Sequence, residues 1–361
     1  MPNGRTRRLA AVRGWLADEG LDAVVVSGAA NIRYLTGFTG SSAQLLVAAG
    51  ATVMVTDFRY GSQAAVEIGD TAELKVERTN VWEGLRSAVT CQGVRRVAVD
   101  RNRLTLGDLD QVEQLAGVEW VRVKGPVERL RQSKDAGEIA AIRDAARLAA
   151  GAFESILSGI SPGRTELEIA TDLEAALRRR GSEWHPFPPI VASGPRTALP
   201  HARASGRVVE RGEWLVLDFG AQVGGYCSDI TRTVVVGARA TQRQLAVYEV
   251  VRRAQARAMT GIRAGMTGRE ADSLARDPIA AAGFGEAFGH SLGHGLGLEV
   301  HEAPRLSQLN AEPLPVGTVV TIEPGVYLEG WGGVRIEDDV VLTEAGADCL
   351  SDGRTDLMEL T

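Results

Sequence analysis

Hydrophobic and polar positions in the first third of the chain alternate between short apolar runs and helical spacings. The run Leu21-Asp22-Ala23-Val24-Val25-Val26 closes on Ser27-Gly28. It is short, rich in β-branched residues and bounded by turn residues, which predicts a buried strand. Ala43 to Ala48 and Thr52 to Thr56 flank Ala49-Gly50 and read as a hairpin. A helical stretch begins near Trp82, and Val94 to Asp100 reads as another strand. The pattern describes an α/β domain over residues 1–126. A charged connector, Glu128 to Asp135, follows. Beyond it Ile139, Ile142, Ala146 and Ala149 fall at spacings of three and four, a helical period. The second domain is accordingly expected over residues 127–361.

That second domain repeats itself. Gly159, Ile160, Gly163, Thr165 and Glu168 recur as Gly261, Ile262, Gly265, Thr267 and Glu270. A helical stretch precedes and follows each copy, and a pair of strands comes later. Such self-similarity points to duplication, with a site shared between the halves.

The strand pairs carry the candidate chemistry. After the first copy, Trp214 to Phe219 is apolar except for Asp218, and a Gly-rich turn leads into Cys227-Ser228-Asp229-Ile230-Thr231-Arg232-Thr233-Val234. Two antiparallel strands joined in this way set Asp218 and Asp229 on one face. After the second copy the design returns as Val319 to Gly325, holding Glu323, and Gly333 to Asp338, holding Glu337. An acidic residue in a strand is ordinarily solvated or paired. Here the neighbours Leu217, Ile230, Ile322 and Ile336 imply burial of all four, and unpaired carboxylates in low dielectric take up protons. Two divalent cations would offset four such charges, and hard oxygen donors suit Mn²⁺ or a similar ion. Between the strand pairs of the two halves, His290, His294 and His301 fall in a Gly-punctuated segment that also holds Gly293, Gly295 and Gly297. Glycines there permit close backbone approach, as ligand loops need. His201, in Leu199-Pro200-His201-Ala202-Arg203, fits either a site or a surface loop.

Composition narrows the setting. With 361 residues, 44% hydrophobic and 24% charged, the chain can build about two globular domains. A net charge of -6, with scattered basic residues, argues against a nucleic-acid partner. No apolar run approaches the roughly 18 residues of a membrane span. The basic start Met1 to Leu9 lacks an apolar stretch behind it, so a signal peptide is not expected. Cys91, Cys227 and Cys349 are odd in number and far apart, which suits a reducing cytoplasm.

Asp218, Asp229, His294, Glu323 in Glu-Pro-Gly and Glu337 in Val-Arg-Ile-Glu resemble the five-ligand signature of the pita-bread metallopeptidases. Asp-Ile-Thr-Arg-Thr (229–233) and the segment 293–302 are similar to its aminopeptidase P and prolidase branch. Residues 1–126, with Asn31 to Phe38, resemble a creatinase-type N-terminal domain, which methionine aminopeptidases usually lack. The resemblance implies an α/β domain of that type, then an α+β pita-bread catalytic domain with an internal pseudo-two-fold repeat. It implies two divalent ions, Mn²⁺ first, with Co²⁺ or Zn²⁺ as alternatives. Asp218 would bind one ion through both oxygens, Asp229 and Glu337 would bridge, and His294 and Glu323 would complete the pair. Glu323 would also shuttle protons, while His201 and His301 would hydrogen-bond the substrate or its oxyanion. His290 would line the site and Arg335 would orient Glu337.

The implied activity is that of an Xaa-Pro aminopeptidase, acting on peptides with proline at the second position. Prolidase is the alternative, and a non-catalytic binding protein on the same fold is a third reading. An X-Pro bond lacks an N–H and has a fixed φ, so a pocket shaped for the ring is needed. His185-Pro186-Phe187-Pro188-Pro189 offers an apolar wall, or simply a rigid loop. Arg196 departs from the family pattern, in which a small polar residue is expected. A homodimer is implied, with Tyr34, Phe38 and Trp82 as contacts near a neighbour's site.

Overall fold

In the computed structural model, which describes residues 4–351 and 354–361, the first apolar run becomes an inner strand of a six-stranded sheet. Met1-Pro2-Asn3 of the basic start lie outside the described residues. The chain divides into two compact units, Met1–Arg131 and Gln132–Thr361.

The first unit runs α1 (Gly4–Asp18), β1 (Ala23–Val26), α2 (Ala29–Thr36), β2 (Ala43–Ala48), β3 (Thr52–Asp57), α3 (Gly61–Ile68), β4 (Glu73–Glu77), α4 (Val81–Gln92), β5 (Arg96–Asp100), α5 (Leu106–Glu113) and β6 (Glu119–Val123). The sheet order is β4-β3-β2-β1-β5-β6. β2 and β3 form the antiparallel hairpin, with Ala43 opposite Thr56, and β1 runs parallel to β5. Every residue of β1 is buried, as an unbroken apolar run requires when both faces are covered. Asn80 starts α4 by accepting a hydrogen bond from the Trp82 N–H.

Two residues expected as dimer contacts belong instead to this unit's interior. Tyr34 is 4% exposed and Phe38 1%. Tyr34 lies under the Arg8 guanidinium, 4.1 Å from its ring centre, and donates its hydroxyl to the Leu130 carbonyl. Phe38 meets Tyr60 edge to face. Their apolar rings are already covered by the unit's own helices.

The connector becomes α6 (Pro126–Gln132), and α7 (Ala136–Ile156) starts on a capping box between Asp135 and Glu138. There follow α8 (Glu166–Arg179), β7 (Ile190–Ser193), β8 (Trp214–Phe219), β9 (Gln222–Val223), β10 (Tyr226–Cys227), β11 (Ile230–Val236), α9 (Gln242–Gly261) and α10 (Gly268–Ala281). The chain ends with β12 (Gly293–Gly295), β13 (Glu302–Leu306), β14 (Val319–Ile322), β15 (Gly325–Leu328), β16 (Gly332–Arg335), β17 (Asp338–Leu342), β18 (Ala347–Cys349) and β19 (Met358–Leu360).

The repeat has a local cause. Thr165 caps α8 and Thr267 caps α10, each answered by a glutamate three residues on, Glu168 and Glu270. Each copy is therefore a helix start that satisfies its own first amides. The strands form two main sheets, β19-β11-β8-β7 and β13-β12-β14-β17-β18, with ribbons β9-β10 and β15-β16. One core packs α7 and α8 against β8 and β11, and the other packs α9 and α10 against β14 and β17. No helix among the described residues is long and apolar enough to cross a membrane.

Candidate metal centre

Alternation along β8 decides where Asp218 goes. Leu215, Leu217 and Phe219 enter the core beneath α7 and α8, which leaves Val216 and Asp218 on the opposite face. Across the ladder Asp218 faces Thr231, not Asp229. Asp229 lies one residue before β11 and is the diagonal neighbour on the same face.

The second half places its carboxylates differently from the expectation that both sit within strands. Glu323 falls between β14 and β15, and Glu337 between β16 and β17. The chain leaves the five-stranded sheet after Ile322, forms the β15-β16 ribbon, and rejoins at Asp338. The two glutamates occupy these crossing points, outside the named strands, with the Glu323 N–H donating to the Leu292 carbonyl and the Glu337 N–H to the Thr231 carbonyl. His294 stands in the middle of β12, between two glycines that close approach demands. A Cβ at Gly293 would collide with the Thr321 carbonyl, and one at Gly295 with the Ala303 carbonyl.

Donor atoms of Asp229, His294 and Glu337 come within 4.8 Å of one another. His294 Nε2 lies 3.3 Å from Glu323 Oε1 and 3.7 Å from Asp229 Oδ2. Its Nδ1 faces the Gly295 carbonyl at 3.1 Å, so Nδ1 carries the proton and Nε2 presents a lone pair to those oxygens. Asp218 Oδ1 and Asp229 Oδ1 are buried without a hydrogen-bond partner among the described residues. Acceptors thus face acceptors in a buried space, an arrangement completed by a cation. Burial, then the neighbouring Glu337 and Asp218, pushes Asp229 well above the carboxylate range. Burial, then Glu323 and Asp218, does the same to Glu337. Glu323 is pushed up to about 7 by burial, against the pull of Arg335. Burial, helped by His301, lowers His294 to about 3 and keeps its ring neutral, as a metal ligand must be. The donor set fits divalent metal.

Arg335 reaches Glu337 through Thr231. Its Nη2 donates to Asp218 Oδ2 at 2.5 Å and its Nε to Thr231 Oγ1 at 3.0 Å. Thr231 in turn donates to Glu337 Oε2 at 2.5 Å. The side chain crosses towards β8 because Asp218, on the facing sheet, offers the charge. Arg232, buried and paired with Asp338 at 2.8 Å, also donates to the Glu337 carbonyl. It ties β11 to the second half.

His201, His290 and His301 join the five acidic and imidazole donors and Arg335 along one cavity of about 780 Å³. His290 Nδ1 donates to the Ser291 carbonyl, so Nε2 accepts from the Tyr327 hydroxyl at 2.9 Å. The rings of His294 and His301 meet edge to face, 4.4 Å apart. Phe187, Pro188 and Pro189 supply an apolar wall, whereas His185 turns away and stacks on Trp184. Arg196 pairs with Glu166 and lines an adjoining cavity of about 910 Å³ that shares His201 and His290. Sequence reasoning missed Thr231, Tyr327 and Arg305. Thr231 was within reach, since two residues beyond Asp229 it must share that face. Arg305 also lines the first cavity, without a carboxylate partner among the described residues.

The same architecture is found in known proteins. The model of metallopeptidase family M24 matches residues 140–344, and that of the creatinase/prolidase N-terminal domain matches residues 8–133. The Bacillus subtilis peptidase YqhT is 41% identical over 340 residues, covering 94% of this chain and 96% of its own. The solved Xaa-Pro dipeptidase from Bacillus anthracis is 38% identical with a TM-score of 0.95, covering 98% and 99% of the two chains. The X-Pro aminopeptidase from Thermotoga maritima is 39% identical with a TM-score of 0.88, covering 94% and 98%. The buried acceptor cluster, the duplicated helix starts and the separate first unit therefore have one explanation: the chain belongs to metallopeptidase family M24, behind a creatinase/prolidase N-terminal domain.

Proposed function

We propose that this chain hydrolyses the bond between an N-terminal residue and a following proline, with two divalent ions held by Asp218, Asp229, His294, Glu323 and Glu337. The observation that carries the reading is the buried cluster in which His294 Nε2 and the carboxylate oxygens of Asp229, Glu323 and Glu337 converge. The Bacillus anthracis and Thermotoga maritima relatives, named as an Xaa-Pro dipeptidase and an X-Pro aminopeptidase, support the substrate class. When bound, a metal pair supplies a nucleophilic hydroxide at neutral pH and offsets the carboxylate charge. Four carboxylates and one imidazole favour Mn²⁺, ahead of Co²⁺ or Zn²⁺.

The rest is done by the chain's own groups. Glu323, set beside His294 in the cluster, takes up the proton lost at the attack and passes it to the departing proline nitrogen. His301 is exposed on the cavity wall, where partial desolvation and then Arg305 lower its pKa, and it donates a hydrogen bond to the charge growing on the scissile carbonyl. His201 does so from the opposite loop. His290 has both ring nitrogens committed, so it fixes Tyr327 and lines the site. Arg335 holds Asp218 and, through Thr231, Glu337. Phe187, Pro188 and Pro189 form the wall against which the pyrrolidine packs.

Two features bear on substrate length. The adjoining cavity at His201 and His290 leaves room for residues beyond proline, which supports an aminopeptidase. Arg305, lining the first cavity without a carboxylate partner among the described residues, suits the terminal carboxylate of a dipeptide. The free cysteines Cys91, Cys227 and Cys349 fit a cytoplasmic setting. The test is kcat/KM with Mn²⁺ for Xaa-Pro and Xaa-Pro-Xaa peptides, against the same peptides with alanine for proline. Proline peptides should be cleaved and chelation should stop the reaction. Equal cleavage of alanine peptides, or activity that survives metal removal, would sink the reading.

A further inference from the structure

Two buried carboxylates outside the metal centre each hold a loop that carries a site histidine. Glu166, in the first turn of α8, is fully buried and lines neither cavity. Its Oε1 accepts from the Ser193 N–H and hydroxyl, both at 2.8 Å. Its Oε2 accepts from the Ser205 N–H at 3.0 Å and hydroxyl at 2.7 Å. Arg196 Nε donates to both oxygens. Ser193 and Ser205 are the two ends of the loop that carries His201, so one carboxylate closes the base of that loop. Within the loop Thr197 accepts from the Gly333 N–H at 2.7 Å and the Pro200 carbonyl accepts from Arg335 at 3.1 Å, while His201, Arg203 and Leu199 are exposed.

The second half repeats the device with different residues. Asp272, in the second turn of α10, is likewise fully buried and outside both cavities. Its Oδ1 accepts from the Leu292 N–H at 3.0 Å, and both its oxygens accept from Arg276. Arg276 then donates to the carbonyls of Phe288 and His290. The pair thus grips the segment 288–292 from both sides. Residue 268, the repeat equivalent of Glu166, is a glycine, so the two halves reached the same end independently.

We infer that Glu166 and Asp272 are positioning residues, which set the catalytic geometry of His201 and the packing of His290 without touching substrate or metal. The inference rests on the proposed role of His201 in peptide hydrolysis. A buried carboxylate is expensive to desolvate, and a full set of donors on two chain segments returns that cost as a single loop geometry. Misplacing a reacting group by about 1 Å is enough to lower a rate about 10²-fold.

The experiment compares Glu166→Gln, His201→Ala and the double variant in the manganese-loaded full chain. Glu166→Gln keeps the shape but turns an acceptor into a donor that faces other donors. It should lower kcat about 10²-fold, leave bound metal unchanged, and speed amide hydrogen exchange in residues 194–204. In the His201→Ala background it should cost nothing further, because the group it positions is gone. Asp272→Asn should speed exchange in residues 288–292 in the same way. Unchanged exchange in Glu166→Gln, or a loss that adds in full to that of His201→Ala, overturns the inference. Ser205→Ala removes one donor and leaves the rest, so it carries the same comparison at smaller amplitude should Glu166→Gln not fold. If the parent chain cleaves no proline peptide, the proposed function fails, while the exchange of 194–204 still reads the clamp.

Discussion

Helices α8 and α10 begin with the same capping box, yet the strands after them deliver their side chains in different ways. The first half presents Asp218 near the end of β8, on a regular antiparallel ladder, and Asp229 one residue before that ladder's other strand, β11. The second half presents Glu323 and Glu337 from the crossings between a sheet and a ribbon, and His294, His290 and His301 from a glycine-rich segment. A ladder fixes its residues and leaves them little freedom to adjust, which suits donors that only hold charge. Breaks and loops allow a group to approach substrate and exchange a proton. On this view the strands of the first half supply fixed charge, steadied by Arg335, and the second half, together with the first half's His201 loop, supplies proton chemistry.

The sharpest way to break that division is Glu323→Gln. The change keeps the shape, removes a ligand charge and removes the proton carrier together. Turnover of an Xaa-Pro peptide should fall by about 10⁴-fold, the upper range for a lost proton-transfer group, while the far-ultraviolet circular dichroism spectrum is unchanged. A near-normal kcat would take Glu323 out of the chemistry and leave the second half with no proton carrier.

How much of this division could be read from the sequence varied with how local its cause was. Alternation in Leu215 to Phe219 was enough to assign Asp218 to the site face, because one face of β8 is all apolar. The same logic was carried too far in the second half. Pro324 directly after Glu323 has no N–H for a central ladder, which already marked a break there. Partners far apart along the chain were beyond the pattern. Arg335 lies two residues before Glu337 but spends its charge on Asp218, 117 positions away. Glu166 sits in the first turn of a helix, and only Ser193 and Ser205, far from it in sequence, give its carboxylate a role. Tyr34 and Phe38 were misplaced because apolar residues in a helix and its cap do not say which surface covers them.

Histidines sharpen the comparison within the second half and across to the first. His201→Ala and His301→Ala should each lower kcat by about 10²–10⁴-fold, the range for losing a proton-transfer or oxyanion partner. Bound metal, read by elemental analysis, should stay normal in both. Loss of metal on His201→Ala would make His201 a ligand, and the loop of the first half would then belong with its fixed donors.

The smallest expected effect falls on Arg305, and it decides which end of the substrate the second half reads. Arg305 sits on β13, whose neighbour β12 carries His294 directly opposite it. It lines the first cavity with no carboxylate partner among the described residues, and it is exposed rather than buried. A charge-assisted hydrogen bond to a substrate carboxylate is worth more than a neutral one, but partial solvent exposure screens it. Arg305→Ala should therefore lower kcat/KM for an Xaa-Pro dipeptide by about 10-fold. A dipeptide methyl ester, which lacks the terminal charge, should be cleaved equally by both chains. Peptides extended beyond proline should also be indifferent to the change if they run on into the cavity beside His201. Should all three substrates lose the same factor, Arg305 acts on the field around His301 and Glu323, and substrate length is set elsewhere.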